Sequence, residues 1–244
     1  MFNAKTQHKK VVEWIKNWFI ENGYGCNAII GISGGKDSTV AAALCLEALG
    51  RDRVIGVLMP NGEQKDIGDS YEVCKTLGIK RHVVNIQQIE RAFQYALLMN
   101  DFKDITEQAI INLPPRIRMT MLYFISQSRN GRICNTCNLS EDYVGYATKY
   151  GDAAGDFAPL KSFTTEEVIA IGRDIGLPEK LLIKPPADGL CGKTDEDNLG
   201  FTYEVLNKYI RTGEIEDAET KEKIDRLHKI NAFKERVIDR YEFE

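Results

Sequence analysis

The residues best suited to chemistry lie in one short glycine-rich stretch: Gly31, Ile32, Ser33, Gly34, Gly35, Lys36, Asp37 and Ser38. The two adjacent glycines can adopt positive φ and bring backbone N–H groups close to an anion. Two hydroxyl groups and a lysine ammonium add further donors, and the dipole of a following helix favours negative charge at its first turn. This stretch therefore predicts a turn that binds phosphate groups.

Two better known phosphate-binding turns have different sequences. In the Walker A turn Ser or Thr directly follows Gly-Lys, whereas here Asp37 follows Lys36. The glycines at 31, 34 and 35 do not fit the dinucleotide fingerprint G-x-G-x-x-G. A glycine turn without a ligand is the remaining alternative. It is disfavoured because a strand-like run, the turn and a helix-like run follow one another in the order that a phosphate site requires.

The elements on either side must position this turn. The apolar run at 28–30 predicts a strand before it, and the alanine-rich run at 39–49 predicts a helix after it. Further strands are predicted at 53–59, 82–86 and 131–136. Helices are predicted at 8–22, 66–77, 87–100, within 101–112, from the Pro114-Pro115 pair to about 128, and from Thr164 to 176.

Alternating strands and helices predict an α/β fold, a doubly wound parallel sheet with helices on both faces. Two charged segments at about 202–211 and 217–234 predict a helical C-terminal segment. Ligands of such sheets bind outside the carboxyl ends of the strands. The glycine turn and the end of the second strand are therefore expected side by side, with Met59 as a candidate adenine contact and a core position as its alternative.

Length and charge narrow the function classes. The 244 residues suit a single domain over 1–244, with no room for a fused glutaminase of ordinary size. A net charge of -4 provides no cationic field for nucleic acid or an anionic membrane, so a small-molecule partner is expected. Neither a signal peptide nor an apolar run long enough to span a membrane is found, which favours the cytoplasm.

Six cysteines are present, and Cys134 and Cys137 form one C-x-x-C pair. A zinc site would require a second such pair or nearby histidines, and the three histidines are distant in sequence. Reduced thiols are therefore expected, with a metal or redox role as the alternative.

Five blocks of sequence occur in a characteristic order. They are S-G-G-K-D-S at 33–38, N-x-x-x-R-x-R-M at 112–119, T-x-N-x-S-E at 136–141, T-K-Y-G-D at 148–152 and T-D-E-D-x-L-G at 194–200. Together they resemble the ammonia-dependent NAD synthetase family of the N-type ATP pyrophosphatase superfamily. The glycine turn alone would leave asparagine, GMP and argininosuccinate synthetases and tRNA-thiolating enzymes open.

The resemblance implies a Rossmann-like fold of the adenine nucleotide alpha hydrolase type and a ligase that forms a C–N bond. Its reaction is the ATP-dependent amidation of deamido-NAD by ammonia through an acyl-adenylate, which releases AMP and pyrophosphate and completes NAD biosynthesis. The resemblance also implies a magnesium cofactor and a homodimer with the dinucleotide near the subunit boundary.

Site residues follow from the resemblance position by position. Residues 31–38 would bind the ATP phosphates, and Asp37 and Glu141 would bind Mg²⁺. Thr136 would lie near ATP, and Asp152 near ammonia and the nicotinate. Lys36 would stabilise the departing pyrophosphate. The residues that would contact deamido-NAD are Arg116, Lys149, Asp156 and Lys234.

The sequence departs from the family pattern at several positions. Thr165 stands where many members have a lysine that contacts ATP, and Lys161 or Lys193 is the candidate substitute. Ala187 replaces a hydroxyl residue in K-P-P-A-D, and Lys234 competes with His228-Lys229 for the usual C-terminal lysine. Two alternative functions stay open: a tRNA-thiolating ATP pyrophosphatase, and a nucleotide-binding regulator without turnover.

Overall fold

The computed structural model describes residues 2–100, 102–183, 195–236, 238 and 240–242. Within these ranges one four-stranded sheet forms the centre of the molecule. Its strands are Asn27–Gly31 (β1), Val54–Leu58 (β2), Lys80–Val83 (β3) and Gly131–Cys134 (β4). They lie in the order β3-β2-β1-β4, and every neighbouring pair is parallel. The predicted doubly wound α/β fold is therefore confirmed.

The helices of the described ranges connect the strands and cover both faces of the sheet. They are Ala4–Asn22 (α1), Lys36–Leu49 (α2), Ile67–Leu77 (α3), Gln87–Met99 (α4), Glu107–Ser128 (α5), Leu139–Val144 (α6), Thr165–Ile175 (α7), Glu179–Leu182 (α8), Asp195–Leu199 (α9), Tyr203–Thr212 (α10) and Ala218–Asn231 (α11). None of them is sufficiently long and apolar to span a bilayer.

Successive residues of the central strand β1 face opposite sides of the sheet. Ile30 packs in an apolar cluster with α1, α2 and α7, whereas Ile29 packs in a second cluster with α5. Both isoleucines are completely buried. Since the strand order reverses between β1 and β4, a crevice is expected between the carboxyl ends of these two strands. The glycine turn follows β1 and residues 135–141 follow β4, so both border that crevice.

Helix α5 corrects one prediction, because it runs through Pro114 and Pro115 instead of beginning there. It begins after Thr106, whose hydroxyl accepts a hydrogen bond from the Ala109 N–H at 3.2 Å. A proline inside a helix costs about 3 kcal/mol in lost hydrogen bonding and steric clash. Packing opposes this cost: Pro114 is buried, and a Cβ built on Gly151 would lie 2.9 Å from Pro115 Cβ.

Strand β3 also differs from the predicted 82–86, because it begins at Lys80, two residues after the left-handed residue Gly78. The predicted run still lies along the sheet edge. The Val84 N–H donates to the carbonyl of Leu58, and the Ile86 N–H to that of Pro60. By contrast, the predicted start of α7 is confirmed, with Thr164 and Glu167 forming a capping box.

The C-terminal helices pack around a third apolar cluster beside the crevice. Its buried members come from α6, α9, α10 and α11 and the loop between α9 and α10: Val144, Leu199, Phe201, Tyr203, Leu206 and Ile224. Because α6 directly follows the loop after β4, this cluster holds the predicted helical C-terminal segment against the loops that carry the candidate site residues.

Candidate active site

The glycine turn links β1 to α2 through hydrogen bonds among its own residues. Ser33 Oγ accepts from the Gly35 N–H at 3.2 Å, and Ser38 Oγ donates to the carbonyl of Gly35 at 3.1 Å. Gly34 has φ +83°, and a Cβ there would lie 2.8 Å from Asp69 Cβ. Both the dihedral angle and the close approach of α3 therefore require glycine at this position.

Lys36 and Asp37 form an ion pair at the start of α2. Lys36 Nζ lies 2.9 Å from Asp37 Oδ2, and the lysine side chain is only 9% exposed. Burial alone would lower the lysine pKa, but the carboxylates of Asp37 and Glu141 outweigh it and raise the pKa to about 12. The lysine therefore keeps its positive charge beside the phosphate-binding turn.

Glu141 lies in the first turn of α6, which Asn138 caps by accepting from the Glu141 N–H at 3.2 Å. Burial and repulsion from Asp37 raise the pKa of Glu141 well above its usual value, although Lys36 opposes the shift. Both carboxylates are only partly exposed, and their mutual repulsion favours a bound cation. Oxygen donors of this kind suit Mg²⁺, so the residues present fit the metal.

The protein alone does not complete such a metal site within the ranges that the structure describes. There, no group of three or more His, Cys, Asp or Glu side chains is arranged to hold an ion. Mg²⁺ commonly takes one or two carboxylates together with substrate phosphates. Asp37 and Glu141 beside a phosphate-binding turn match that pattern of ligands.

Asp195 is a further acidic residue near this group that sequence reasoning left without a role. It lies at the start of α9, 7% exposed, and its carboxylate accepts from the Tyr203 hydroxyl at 3.3 Å. Burial and the charges of Glu141 and Asp195 raise the Tyr203 pKa, so its hydroxyl stays protonated. The available signal was the block T-D-E-D-x-L-G at 194–200, whose second residue is Asp195.

Asp152 lies in the loop after α6, and its side chain is exposed to solvent. Its Oδ1 accepts from the Thr148 N–H at 3.0 Å. The surrounding protein nevertheless raises its pKa by desolvation, which the hydrogen bonds and Lys234 only partly oppose. An accessible carboxylate with a raised pKa is suited to accepting a proton during a reaction.

Lys234 comes from the C-terminal segment and binds the same loop. Its ammonium donates to the carbonyls of Gly145 at 2.6 Å and Ala147 at 3.1 Å. Burial lowers its pKa, while Asp152 opposes that shift. The chain thus brings Asp152 and Lys234 together across residues 145–152, although they are far apart in sequence.

Lys149, in the loop at 145–152, lies next to Arg116 of α5. Lys149 Nζ donates to the carbonyl of Phe233 at 2.6 Å and lies 5.0 Å from the centre of the Phe233 ring. The exposed Arg116 donates through Nε to the carbonyl of Lys149 at 3.3 Å. Both cations therefore border the surface between α5, the loop and the C-terminal segment.

Three other predicted residues lie close to strands β2 and β4. Asp156 Oδ2 accepts from the Ile133 N–H at 2.7 Å, which fixes that carboxylate to β4. Met59 follows β2 and is 8% exposed within the second apolar cluster. Thr136 is half-buried in the segment between β4 and α6.

Asn135 links the segment that leads to Glu141 with the loop that carries Asp152. It was not singled out from the sequence. It is buried directly after β4, and its amide donates to the carbonyls of Asp152 at 2.9 Å and Ala154 at 3.0 Å. Its Oδ1 accepts from the Cys137 N–H at 2.9 Å. The position of the Asp152 loop therefore depends on the same segment that leads to Glu141.

The departures from the family pattern have structural consequences. Thr165 is buried and its N–H donates to Ser140 Oγ at 3.1 Å. Lys161, the suggested substitute, pairs with Asp142 at 3.4 Å and contacts Glu235. Two carboxylates therefore already balance its charge. Lys193 and Ala187 lie outside the described residues.

The C-x-x-C pair is part of the packed interior. Cys134 and Cys137 are buried, and burial raises the pKa of both thiols well above the usual value. Their thiols contact the carbonyls of Asn135 and Asp152. Sulfur transfer and metal binding use the thiolate, which this environment disfavours.

Known proteins resemble this chain in both sequence and fold. The sequence profile described as NAD synthase matches residues 7–242. The NH(3)-dependent NAD(+) synthetase of Pyrococcus horikoshii is 39% identical over 83% of this chain and 77% of that protein. The enzyme of the same name from Finegoldia magna is 33% identical over 97% of this chain and 98% of that protein. The structure of NMN synthetase from Francisella tularensis is 30% identical, with a TM-score of 0.90 over 100% of both chains.

Proposed function

This chain belongs to the NAD synthase family, and on that premise we propose that it is an ATP-dependent ligase that converts deamido-NAD and ammonia into NAD. The observation that carries the proposal is the family match over nearly the whole chain. The glycine turn, Lys36 and the carboxylates of Asp37 and Glu141 supply the charges that such a reaction needs. We further propose that 1–244 act as one catalytic domain in the cytoplasm.

The chemical difficulty is that a nicotinate carboxylate is a poor electrophile. In the first step its oxygen attacks the α-phosphorus of ATP, and pyrophosphate leaves with the electron pair of the broken P–O bond. In the second step ammonia attacks the carbonyl carbon of the acyl-adenylate. AMP leaves with the C–O electron pair, and the nitrogen loses a proton to give the amide.

The residues of the chain mainly bind and orient the reactants. The N–H groups of the glycine turn and the Lys36 ammonium stabilise the departing pyrophosphate. Asp152 holds ammonia at the acyl carbon and accepts its proton, which agrees with its raised pKa and open carboxylate. Arg116, Lys149, Asp156 and Lys234 bind the nucleotide substrate, Thr136 lies near ATP, and Met59 contacts adenine.

Mg²⁺ would be held by Asp37 and Glu141 together with the ATP phosphates. When bound, the ion would neutralise the negative charge that develops between the α- and β-phosphates. Lys36 also neutralises negative charge on the phosphates, since its pKa of about 12 keeps it charged.

A homodimer is proposed through the face formed by α4 and α5. None of the residues of α4 is buried, although the helix is rich in apolar side chains. The exposed apolar side chains of the two helices are Phe93, Tyr95, Leu98, Met99, Ile110, Tyr123 and Phe124. Exposed apolar side chains on two neighbouring helices favour association with a second copy, which would bury them. Light scattering should give twice the chain mass, and Leu98→Glu should reduce it to one chain; a monomeric wild type would contradict the proposal.

A second candidate substrate is nicotinate mononucleotide, which carries the same carboxylate. The observation that favours it is the Francisella tularensis NMN synthetase structure, which matches all of both chains with a TM-score of 0.90. The same adenylation and amidation would convert the mononucleotide into NMN. Because the reacting group is unchanged, the two candidates differ only in how the remainder of the substrate is bound.

The deciding experiment supplies the pure protein with ATP, Mg²⁺ and ammonia, and with either deamido-NAD or nicotinate mononucleotide. Formation of NAD with the higher kcat/KM confirms the proposal, and a preference for the mononucleotide would assign the second candidate. Glutamine at equal nitrogen should give at most a trace of product. No pyrophosphate release with either substrate would instead favour a regulator without turnover, and a requirement for tRNA would favour the thiolating alternative.

A further inference from the structure

Asn138 lies at the junction between the glycine turn and α6, and it is completely buried. Its side-chain Oδ1 accepts from the N–H groups of Ser140 at 3.0 Å and Glu141 at 3.2 Å. Its Nδ2 donates to Asp37 Oδ1 at 3.1 Å. One side chain therefore contacts both carboxylate-bearing residues, Asp37 through its carboxylate and Glu141 through its backbone.

The orientation of the Asn138 amide is determined by its partners. If its oxygen and nitrogen exchanged places, an NH₂ group would face the two donors of α6, and an oxygen would face the Asp37 carboxylate. Both contacts would become repulsive. The donor therefore points to Asp37 and the acceptor to α6.

Helix capping alone does not explain why this residue is asparagine. Aspartate and serine cap helices about as well as asparagine does, and the helix dipole would also stabilise the negative charge of an aspartate. Aspartate would, however, place a second carboxylate against Asp37, and serine is too short to reach across to it. Of the common capping residues, asparagine provides an acceptor for α6 together with a donor that reaches Asp37.

We infer that Asn138 is a positioning residue that fixes the carboxylates of Asp37 and Glu141 relative to each other, by capping α6 and donating to Asp37 at the same time. The inference rests on the proposed function only for the role of these carboxylates as metal ligands. With Lys36 on Oδ2 and Asn138 on Oδ1, both oxygens of Asp37 have a donor that fixes the orientation of the carboxylate. Groups that orient metal ligands in this way commonly change metal affinity when they are replaced.

The test uses Mn²⁺ as the probe, measured by electron paramagnetic resonance on the full chain with α,β-methylene-ATP. Asn138→Ser keeps the cap and removes the donor to Asp37. We expect Mn²⁺ affinity to fall about 10- to 100-fold. The unfolding midpoint should stay within about 4 °C of the wild type, since the two residues are similar caps.

Asn3→Ser is the matched control, because Asn3 caps α1 by accepting from the Thr6 N–H at 2.9 Å, on an element that does not carry the carboxylates. It should bind Mn²⁺ as the wild type does. A folded Asn138→Ser variant with wild-type Mn²⁺ affinity would overturn the inference. This readout needs no turnover, so it is separate from a failure of the proposed reaction.

Asn138→Asp keeps the test decisive if the serine variant does not fold. Aspartate has the size of asparagine and caps equally well, but it has no N–H for Asp37. We expect this variant to fold and its kcat at saturating Mn²⁺ to fall by at least about tenfold. A wild-type kcat would show that the residue serves only as a cap and would overturn the inference.

Discussion

Lys36 donates a hydrogen bond to the carboxylate of Asp37 at 2.9 Å, although the two residues are adjacent in the sequence. Adjacent side chains within a helix point in different directions and rarely meet. This pair lies in the first turn of α2, directly after the glycine turn, where side chains can bend towards the strand ends. The contact places a positive charge and the carboxylate proposed to hold Mg²⁺ side by side at the proposed phosphate site.

Asp37→Asn should abolish most of the activity. Asparagine keeps the size of the side chain but removes the negative charge that would hold Mg²⁺ and balances Lys36. We expect kcat to fall by at least about 100-fold, the scale found when one charge-stabilising group is removed from an active site. Product formation from ammonia measures this. Asp52→Asn is the control, since that side chain is 94% exposed and its ion pair with Lys80, at 3.5 Å, lies on the surface. Unchanged activity in the Asp37 variant would refute the proposed site.

Gly34→Ala should weaken ATP binding. The added methyl group would lie 2.8 Å from Asp69 Cβ and 2.9 Å from the Ser70 nitrogen, in a residue with φ +83°. We expect a loss of about 1–3 kcal/mol in stability and a raised KM for ATP. Gly68→Ala is the control, because a Cβ there meets nothing within 4 Å. That variant should be as stable as the wild type or more so, since alanine is the better helix former. Equal KM values in both variants would contradict the role of the turn.

Lys234→Met should impair binding of the nucleotide substrate. Methionine retains much of the apolar stem but cannot donate to the carbonyls of Gly145 and Ala147. The loop that carries Asp152 should lose part of its support, and kcat/KM for the nucleotide substrate should fall by about tenfold or more. The KM for ATP should change little. Lys10→Met, at an exposed position on α1, is the control. Should both variants retain wild-type kinetics, Lys234 would have no part in the site.

His8 should make stability depend on pH. Its Nδ1 lies 2.8 Å from Asp174 and its Nε2 lies 2.7 Å from Glu47, so it joins α1 to α2 and α7. Burial lowers its pKa, but the hydrogen bonds to the two carboxylates outweigh burial and raise the pKa above 6.5. A raised folded-state pKa means that the stabilisation is fully present below the unfolded value and is lost as pH rises through the folded value.

The measurement compares the free energy of unfolding of His8→Gln with that of the wild type by urea titration. The difference should be larger at about pH 6 than at about pH 9, with a slope of at most about 1.4 kcal/mol per pH unit for one proton. His82→Gln, on the edge strand β3, is the control. A difference that does not vary with pH would show that His8 contributes only through packing.

The sequence by itself determined the elements and the glycine turn, because these depend on neighbouring residues. Strand periodicity, the Thr164 to Glu167 capping box and the adjacent Gly34 and Gly35 are local signals that need no knowledge of the fold. The resemblance of five ordered blocks added the family, which the comparisons confirmed. Local signals failed at α5, where packing around Pro114 and Pro115 outweighs the usual cost of proline in a helix.

Only the tertiary structure decided which distant residues meet. Asn138 reaches Asp37 across 101 positions of sequence, and Lys234 reaches Gly145 across 89. Such contacts result from the reversal of strand order between β1 and β4 and from the packing of the C-terminal helices on α6. The sequence around a side-chain amide does not indicate which distant group it will bind. That partner is determined by the fold of the whole chain.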